Sequence, residues 1–434
     1  MNFLLDSDSY KYSHFDQYPA NEGFFAYIEA RYGEEVKFFG LQYIIKKMLS
    51  KMYSKEDIKE AKEIVTAHGL PFNEKGFEEL RELGYFPLKI KAVKEGGVYP
   101  TQIPLVSIQS TDARFGWFVS FIETMMLRVW YPTTVATNSY NMKKIVHKYT
   151  KNSAFKVHDF GSRGVSCQEN AVIGGMAHLL NFRGTDTTIA LEGARKYYNA
   201  DIAGFSIPAM EHNSVTSWES ESEAFANMLS IYAKEGAVLA CVSDSYDYKN
   251  TVDNIWGQEL REQVKKSGAT VVVRPDSGDP LELIPYTLDS LARNFGFTNE
   301  SDGKLLNSVR IIWGDGINAQ MIDKILSLVT KSGWSADNVN FGVGGALLQK
   351  VNRDTYSFAY KSSAIKINGK WKGICKNPVT DPIKKSKSGR IGAELVDGKY
   401  IVRDLDKDKF ENALETVYLN GDLVKEYKFE DLAD

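Results

Sequence analysis

An irregular α/β barrel, set in a flanking α+β domain made from both ends of the chain, is the fold this sequence predicts. Two observations carry the prediction. Between about residues 150 and 350, short β-rich runs alternate with helical stretches roughly every 20–40 residues, and outside that span the alternation stops. The runs are apolar at successive positions rather than every second one, as strands of a parallel sheet buried on both faces are. Six or seven such units suit a closed barrel, with a doubly wound open sheet as the alternative.

The elements follow in order. The chain opens with an aromatic-rich stretch, then a helix over 54–66 started by Ser54-x-x-Asp57, a capping-box pattern. Pro87 to Val93 reads as extended. The barrel runs begin with Phe155–Phe160 before Gly161-Ser-Arg163-Gly, and continue with Ala203–His212 and with Ala237–Val242 before Ser-Asp244. Thr270–Val273 follows before Arg274-Pro-Asp276, then Val309–Trp313 before Gly314-Asp315, and Val339–Phe341 before Gly342-Val-Gly-Gly345. Thr187–Leu191 is a weaker strand candidate, because its glycine and acid (Gly184, Asp186) come first.

Helices fill the gaps. Phe225, Met228, Leu229 and Tyr232 share one face after an acidic first turn; Trp256, Leu260 and Val264 share another; Met321, Ile325, Leu328 and Val329 follow a candidate N-cap at Asn318. Acid first and glycine last suits the unpaired groups at helix ends. Residues 360–434 return to short strands and turns, such as Lys366-Ile-Asn-Gly-Lys. The expected division is therefore 1–150 with 360–434 as the flanking domain, and 151–359 as the barrel.

Composition sets the class. The 434 residues carry 53 Lys plus Arg against 56 Asp plus Glu, a net charge of −3, with 43% hydrophobic residues. That is ordinary for a folded water-facing protein and lacks the basic excess of a general nucleic-acid binder. Cys167, Cys241 and Cys375 form neither a disulfide framework nor a zinc pair. No apolar run reaches the ~18–20 residues of a membrane span. The opening meets acid at Asp6 with no basic region before it, so no secretory signal is expected there and a cytoplasmic location is.

Chemistry in α/β barrels gathers at the carboxyl ends of the strands. There this sequence places Arg163, His212, Asp244, Arg274, Asp276, Asp315 and glycines 342–345. Carboxylates accept from sugar hydroxyls, while arginines and exposed backbone N–H groups take phosphate oxygens, so the set suits a phosphorylated sugar. Phe341-Gly-Val-Gly-Gly345 is neither a dinucleotide fingerprint nor a Walker loop; it is a phosphate turn or a tight strand–helix connection. The basic run from Lys376 to Arg390 reads as a solvated loop or as a lid over a pyrophosphate-like group. His212 reads as packed or as catalytic, with Glu211 beside it.

These motifs, together with Asp8-Ser-Tyr10-Lys11, Gly40-Leu-Gln-Tyr43, Trp130-Tyr-Pro132, His158-Asp-Phe160-Gly-Ser-Arg163, Phe182-Arg-Gly-Thr-Asp186 and Pro208-Ala-Met-Glu-His212, resemble the nicotinamide phosphoribosyltransferase family of the type II phosphoribosyltransferases almost end to end. The resemblance implies joining of nicotinamide to 5-phosphoribosyl-1-pyrophosphate, with NAD salvage as the setting. It implies Phe160 and a neighbouring subunit's Tyr10 on the two faces of the pyridine ring. Asp186 would accept from the carboxamide, with Ser206 and Arg274 near the amide and ribose. Asp276 would bind ribose hydroxyls, and Asp244 and Asp276 would face substrate-bound Mg²⁺. Arg163, Gly314, Asp315, Gly344 and Gly345 would serve the 5′-phosphate and ribose. Arg31, Arg353, Lys361, Lys376 and Lys384 would hold pyrophosphate. His212 would be phosphorylated by ATP, and the molecule would be a homodimer with shared sites. No dedicated metal cage is expected, since Mg²⁺ keeps waters and bridges phosphates. Ala359 departs from the pattern, standing where the family usually has a hydroxyl. The rival functions are the nicotinate-using relative, a phosphosugar isomerase or aldolase, and a binding module without turnover.

Overall fold

The computed structural model describes residues 2–377 and 386–433, so Lys384 lies outside the described residues. The chain divides into two compact units: Met1–Thr137 with Ala194–Ala200 and Asn352–Ala433, and Asn138–Gly193 with Asp201–Val351.

The first unit is α+β and draws its sheet from both ends of the chain. Its strands lie in the order Lys370–Gly373, Ala359–Ile367, Gly23–Glu29, Val106–Ser110, Leu88–Ala92, Glu415–Leu419, Asp422–Leu423, every neighbour antiparallel. Gly23–Glu29 is buried at every position and sits among the sheet's inner strands, which is why its seven residues are apolar or small until the terminal glutamate. Ala359 pairs with Glu29, so residues from 352 onward go with this sheet. Segment 194–200 joins it through Tyr198, whose hydroxyl donates to the buried Glu95 (2.8 Å). The expected first helix is present as Lys55–Ala67, and its capping box forms: Asp57 N–H donates to Ser54 Oγ (3.1 Å) and Ser54 N–H to Asp57 Oδ2 (2.7 Å). Two orphan donors of the helix end are thereby satisfied.

The second unit holds six parallel strands: β1 (Val157–Asp159), β2 (Gly184–Thr185), β3 (Val238–Val242), β4 (Thr270–Arg274), β5 (Val309–Trp313) and β6 (Val339–Val343). They pair in the order β2-β1-β6-β5-β4-β3. The two edges are joined by an extended segment: Phe205 bridges Gly184 and Ala209 bridges Ala240, both parallel. This completes an irregular α/β barrel. The run Ala203–His212, expected as a full strand, makes only those two bridges. Pro208 supplies no N–H, though its carbonyl accepts from Ala240 N–H (2.9 Å).

Thr187–Leu191 is not a strand. The strand is Gly184–Thr185, and Thr188–Tyr198 is a helix, because Ala190, Leu191, Ala194 and Arg195 are helix formers that outweigh the β-branched start. The other helices stand where expected: Glu221–Tyr232, and Ala319–Lys331 with Met321 N–H on Asn318 Oδ1 (2.9 Å). Trp256 and Val264 fall on different elements, a π-helical stretch Thr251–Glu259 and an α-helix Arg261–Ser267. None of the described helices is long and apolar enough to cross a membrane.

Candidate active site

The site is built where the barrel strands end. Phe160 follows β1, and its backbone N–H donates to Val343 O on β6 (3.0 Å). Its ring lies against β6 at Gly342: a Cβ at that position would stand 2.0 Å from the ring, so only glycine admits the phenyl group there. The same space is bordered by Gly314, where a Cβ would sit 3.4 Å from both Asp276 and the Phe160 ring. Aromatic platform, backbone and carboxylate thus share one corner.

Asp159, fully buried, ties that corner to its neighbour. Its Oδ1 accepts from Gly161 N–H (2.7 Å), and its backbone carbonyl accepts from Asp186 N–H (2.9 Å). Burial lifts the Asp159 carboxyl to about 6. Asp186 follows β2, and its Oδ1 accepts from the Ser206 hydroxyl (2.6 Å). Phe160, Asp186, Ser206 and Arg274 line one cavity of about 560 Å³ that continues through the barrel. Apolar Ala240, Val272 and Ile312 line its middle, and Lys156, Arg310, Asp337 and Asn340 its amino-end mouth. The buried Lys156 ammonium is lowered to about 8 by burial, and Asp337 (3.1 Å) opposes the shift. Arg274 Nε is buried and has no hydrogen-bond partner among the described residues, a donor that a ligand could use.

Across the same barrel end, His212 stands at the start of a short helix, His212–Thr216. Its Nδ1 meets Ser245 Oγ at 3.1 Å. Its Nε2 lies 3.8 Å from Asp244 Oδ1 and 3.8 Å from Asp276 Oδ2. Asp244 Oδ2 accepts from Asp276 N–H (3.1 Å) and the Ser277 hydroxyl (2.5 Å), while its Oδ1 is buried without a hydrogen-bond partner among the described residues. That buried oxygen beside a second carboxylate suits a hydrated divalent cation carried by a phosphate ligand. Among the described residues no group of three or more His, Cys, Asp or Glu forms a metal cage. Arg163 is exposed on the turn Ser162–Gly164, and a Cβ on Gly164 would lie 3.8 Å from Gly345 N. The arginine's turn therefore adjoins the Gly344–Gly345 connection, where β6 passes into the helix Gly345–Leu348. Asp315 is exposed beside Gly314. Of the strand-end residues expected from sequence, His212, Asp244 and Asp276 meet directly, Arg274 lines the cavity with Phe160 and Asp186, and Arg163 and Asp315 are exposed on turns that follow β1 and β5.

The basic group lies on the first unit. Arg31 Nε donates to Ser357 O (3.2 Å), and its N–H to Tyr356 O (2.9 Å), fixing it beside the turn that carries Arg353. Lys361, on the strand Ala359–Ile367, has its ammonium lowered by burial; Glu123 opposes this, and the like charges of Lys376, Arg31 and Lys11 add to it. Cations that repel one another on a half-buried surface are what an anion site provides. Arg353 pairs with Asp354 (3.0 Å). Two members of the basic run are otherwise engaged, Lys387 with Glu29 and Arg390 with Asp406. Tyr10 is exposed, with Lys11 5.4 Å from its ring centre.

Two serines beside the site, Ser245 and Ser277, were not singled out from the sequence, and Gly342 was named there only among the glycines of the turn after the last strand. Ser245 and Ser277 are ordinary loop serines until β3 and β4 bring their loops against His212 and Asp244. Gly342 looks like one glycine of several until the Phe160 ring occupies its face.

A parallel barrel with this strand-end chemistry places the chain among the type II phosphoribosyltransferases, enzymes that transfer a pentosyl group. The profile of the nicotinate phosphoribosyltransferase (NAPRTase) family matches residues 155–422, and that of the nicotinamide phosphoribosyltransferase N-terminal domain matches residues 2–90. The chain is similar to a nicotinamide phosphoribosyltransferase of Xanthomonas campestris pv. campestris, 46% identical over 99% of this chain and 97% of the relative. It is also similar to one of Acinetobacter baylyi, 30% identical over 98% of this chain and 94% of the relative. Among solved structures, the nicotinate-nucleotide pyrophosphorylase of Pyrococcus furiosus shares the fold, with a TM-score of 0.66 at 17% identity, covering 99% of this chain and 94% of that one. The chain belongs to the nicotinate phosphoribosyltransferase family.

Proposed function

We propose that the protein joins nicotinamide to 5-phosphoribosyl-1-pyrophosphate, releasing nicotinamide mononucleotide and pyrophosphate as a step in NAD salvage. The observation that carries the choice of base is Asp186, a carboxylate on the cavity that holds the Phe160 ring. It accepts from a carboxamide N–H₂ and repels the carboxylate of nicotinate. The names of the relatives from Xanthomonas and Acinetobacter support the same base.

The base stacks on Phe160, with Tyr10 of a second subunit on its other face in a homodimer, and its ring nitrogen attacks the anomeric carbon as the bond to pyrophosphate breaks. The sugar passes through an oxocarbenium-like state, so the protein's task is alignment and charge stabilisation. Phe160 faces a ring that gains positive charge, which π-contact favours. Asp276 holds ribose hydroxyls, and Arg274 supplies the Nε donor that has no partner among the described residues. Arg163 and the backbone of Gly314, Asp315, Gly344 and Gly345 take the 5′-phosphate and ribose. Arg31, Arg353, Lys361, Lys376 and Lys384 take the departing pyrophosphate. Asp244 and Asp276 would hold substrate-bound Mg²⁺, which supplies charge neutralisation at the leaving group when bound.

ATP acts as a co-substrate that phosphorylates His212 and couples its hydrolysis to tighter substrate use. The enzyme works in the cytoplasm. The test is incubation with nicotinamide or nicotinate, phosphoribosyl pyrophosphate and Mg²⁺, with and without ATP, followed by identification of the nucleotide. Nicotinamide mononucleotide with pyrophosphate release is the expected result; equal turnover of both bases would overturn the role given to Asp186.

A further inference from the structure

We propose that Ser245 is the positioning residue for the phosphorylation of His212, acting by holding the imidazole edge between Asp244 and Asp276. The inference rests on the reading of His212 as the phosphoryl acceptor.

In that step an imidazole nitrogen bonds to the γ-phosphorus of ATP, the bond from phosphorus to the β,γ-bridging oxygen breaks, and ADP leaves with the electron pair. The other ring nitrogen keeps its proton, so the ring becomes a phosphorylated imidazolium. A ring that must attack in line needs a fixed plane, because a misplacement of about 1 Å costs on the order of 10²-fold in rate.

His212 has little else to fix it. Its side chain is 47% exposed, and it opens a helix of only five residues. Among the described residues its side chain has three polar contacts: Ser245 Oγ on Nδ1 at 3.1 Å, and the two carboxylates on Nε2 at 3.8 Å. The carboxylates act at longer range than a hydrogen bond, so they attract the ring edge without setting its angle. Ser245 does set it. A hydroxyl both donates and accepts, so it satisfies Nδ1 in either tautomer, and what it fixes is direction.

Ser245 is itself on a locked loop. Ser243 N–H donates to Arg274 O (2.9 Å), Trp256 Nε1 to Ser243 Oγ (3.1 Å), and Asp244 is held by Asp276 N–H and Ser277. The two residues that precede Ser245 are thus fixed to β4, to the loop after it and to the π-helical stretch, and Ser245 itself is half-buried. Ser245 is not among the residues that line the cavity proposed to receive the base.

The experiment compares full-length Ser245→Ala, Ser245→Thr and His212→Asn enzymes with the native one. Each is assayed for phosphoribosyl transfer without ATP, for the ratio of rates with and without ATP, and for acid-labile ³²P on the protein after incubation with γ-labelled ATP. Ser245→Ala is expected to keep its ATP-free rate within about twofold while its phosphohistidine formation falls roughly 5–50-fold. Ser245→Thr keeps the hydroxyl and restores labelling to within about threefold of native. Native labelling and native ATP stimulation in Ser245→Ala, with both lost in His212→Asn, would refute the role of Ser245 alone. Labelling that persists in His212→Asn refutes the acceptor reading on which it stands.

Discussion

Gly342→Ala is the substitution that most directly tests where the Phe160 ring lies. The new Cβ would stand 2.0 Å from Cε2 and 2.1 Å from Cδ2 of that ring. Carbon atoms in contact settle about 3.5–4.0 Å apart, so the overlap is on the order of 1.5 Å and the ring has to leave its place. β6 is paired on both sides, with Gly342 opposite His158 and neighbouring Phe341 opposite Trp313, so the strand has no freedom to retreat. Displacing the platform forfeits about 0.5–1.5 kcal/mol of ring contact and misaligns the base by more than the ~1 Å that costs about 10²-fold. Steady-state kinetics should therefore show kcat/KM for nicotinamide down about 10–100-fold, with kcat lowered by the misalignment and KM raised by the lost ring contact, and with KM for phosphoribosyl pyrophosphate changed by less than about threefold. The double variant with Phe160→Ala isolates the cause: once the ring is gone, Gly342→Ala should add almost nothing, a coupling of roughly 1 kcal/mol or more. A native nicotinamide KM in Gly342→Ala, or effects of the two substitutions that simply add, would refute this placement of the ring.

The other predictions are briefer. Asp186→Ser should narrow the preference for nicotinamide over nicotinate by about 10–100-fold, read as the ratio of kcat/KM values, since an exposed carboxylate facing another at about 4–5 Å repels by about 1–3 kcal/mol after solvent screening. Lys376→Ala should raise KM for phosphoribosyl pyrophosphate by about tenfold and flatten its salt dependence, leaving KM for nicotinamide nearly unchanged. His178 is buried against Ser139 (3.0 Å) and Val157 O (3.2 Å), and burial lowers its imidazole to about 4. A depressed histidine adds stability above its ordinary value near 6.5 that is lost as pH falls towards 4, about 3 kcal/mol in all. Asp159, raised to about 6, runs the other way: its contribution is full below the ordinary carboxylate range and lost as pH rises through 6. Urea unfolding at pH 7 and pH 4.5 should show His178→Gln losing about 2–3 kcal/mol less than the native protein on acidification; equal losses would contradict the assignment.

How far the sequence carries can be judged element by element. The run Thr270–Val273 reads as a doubly buried strand because three successive valines have no polar face, and that holds in any tertiary context. Ser54 and Asp57 announce a helix start because the capping box is closed within four residues. The short runs fared less well. Thr187–Leu191 looks like a strand for its β-branched residues, yet β2 is only Gly184–Thr185, and the residues beyond it gain more from helix formation. Ala203–His212 has strand composition, but Pro208 limits it to bridges.

By itself, then, the sequence determined the alternation of strand and helix and the concentration of arginines, carboxylates and glycines just past the strand ends. Those are local facts, written in period, propensity and spacing. Only the tertiary structure decided that Ser245 meets His212 across 33 positions, that Gly342 makes room for Phe160, and that Lys387 and Arg390 are bound to Glu29 and Asp406 while Lys361 sits among like charges. The physical reason is that strands buried on both faces look alike on either side. Which side chains meet is set by register and by the order β2-β1-β6-β5-β4-β3, in which strands distant along the chain become neighbours.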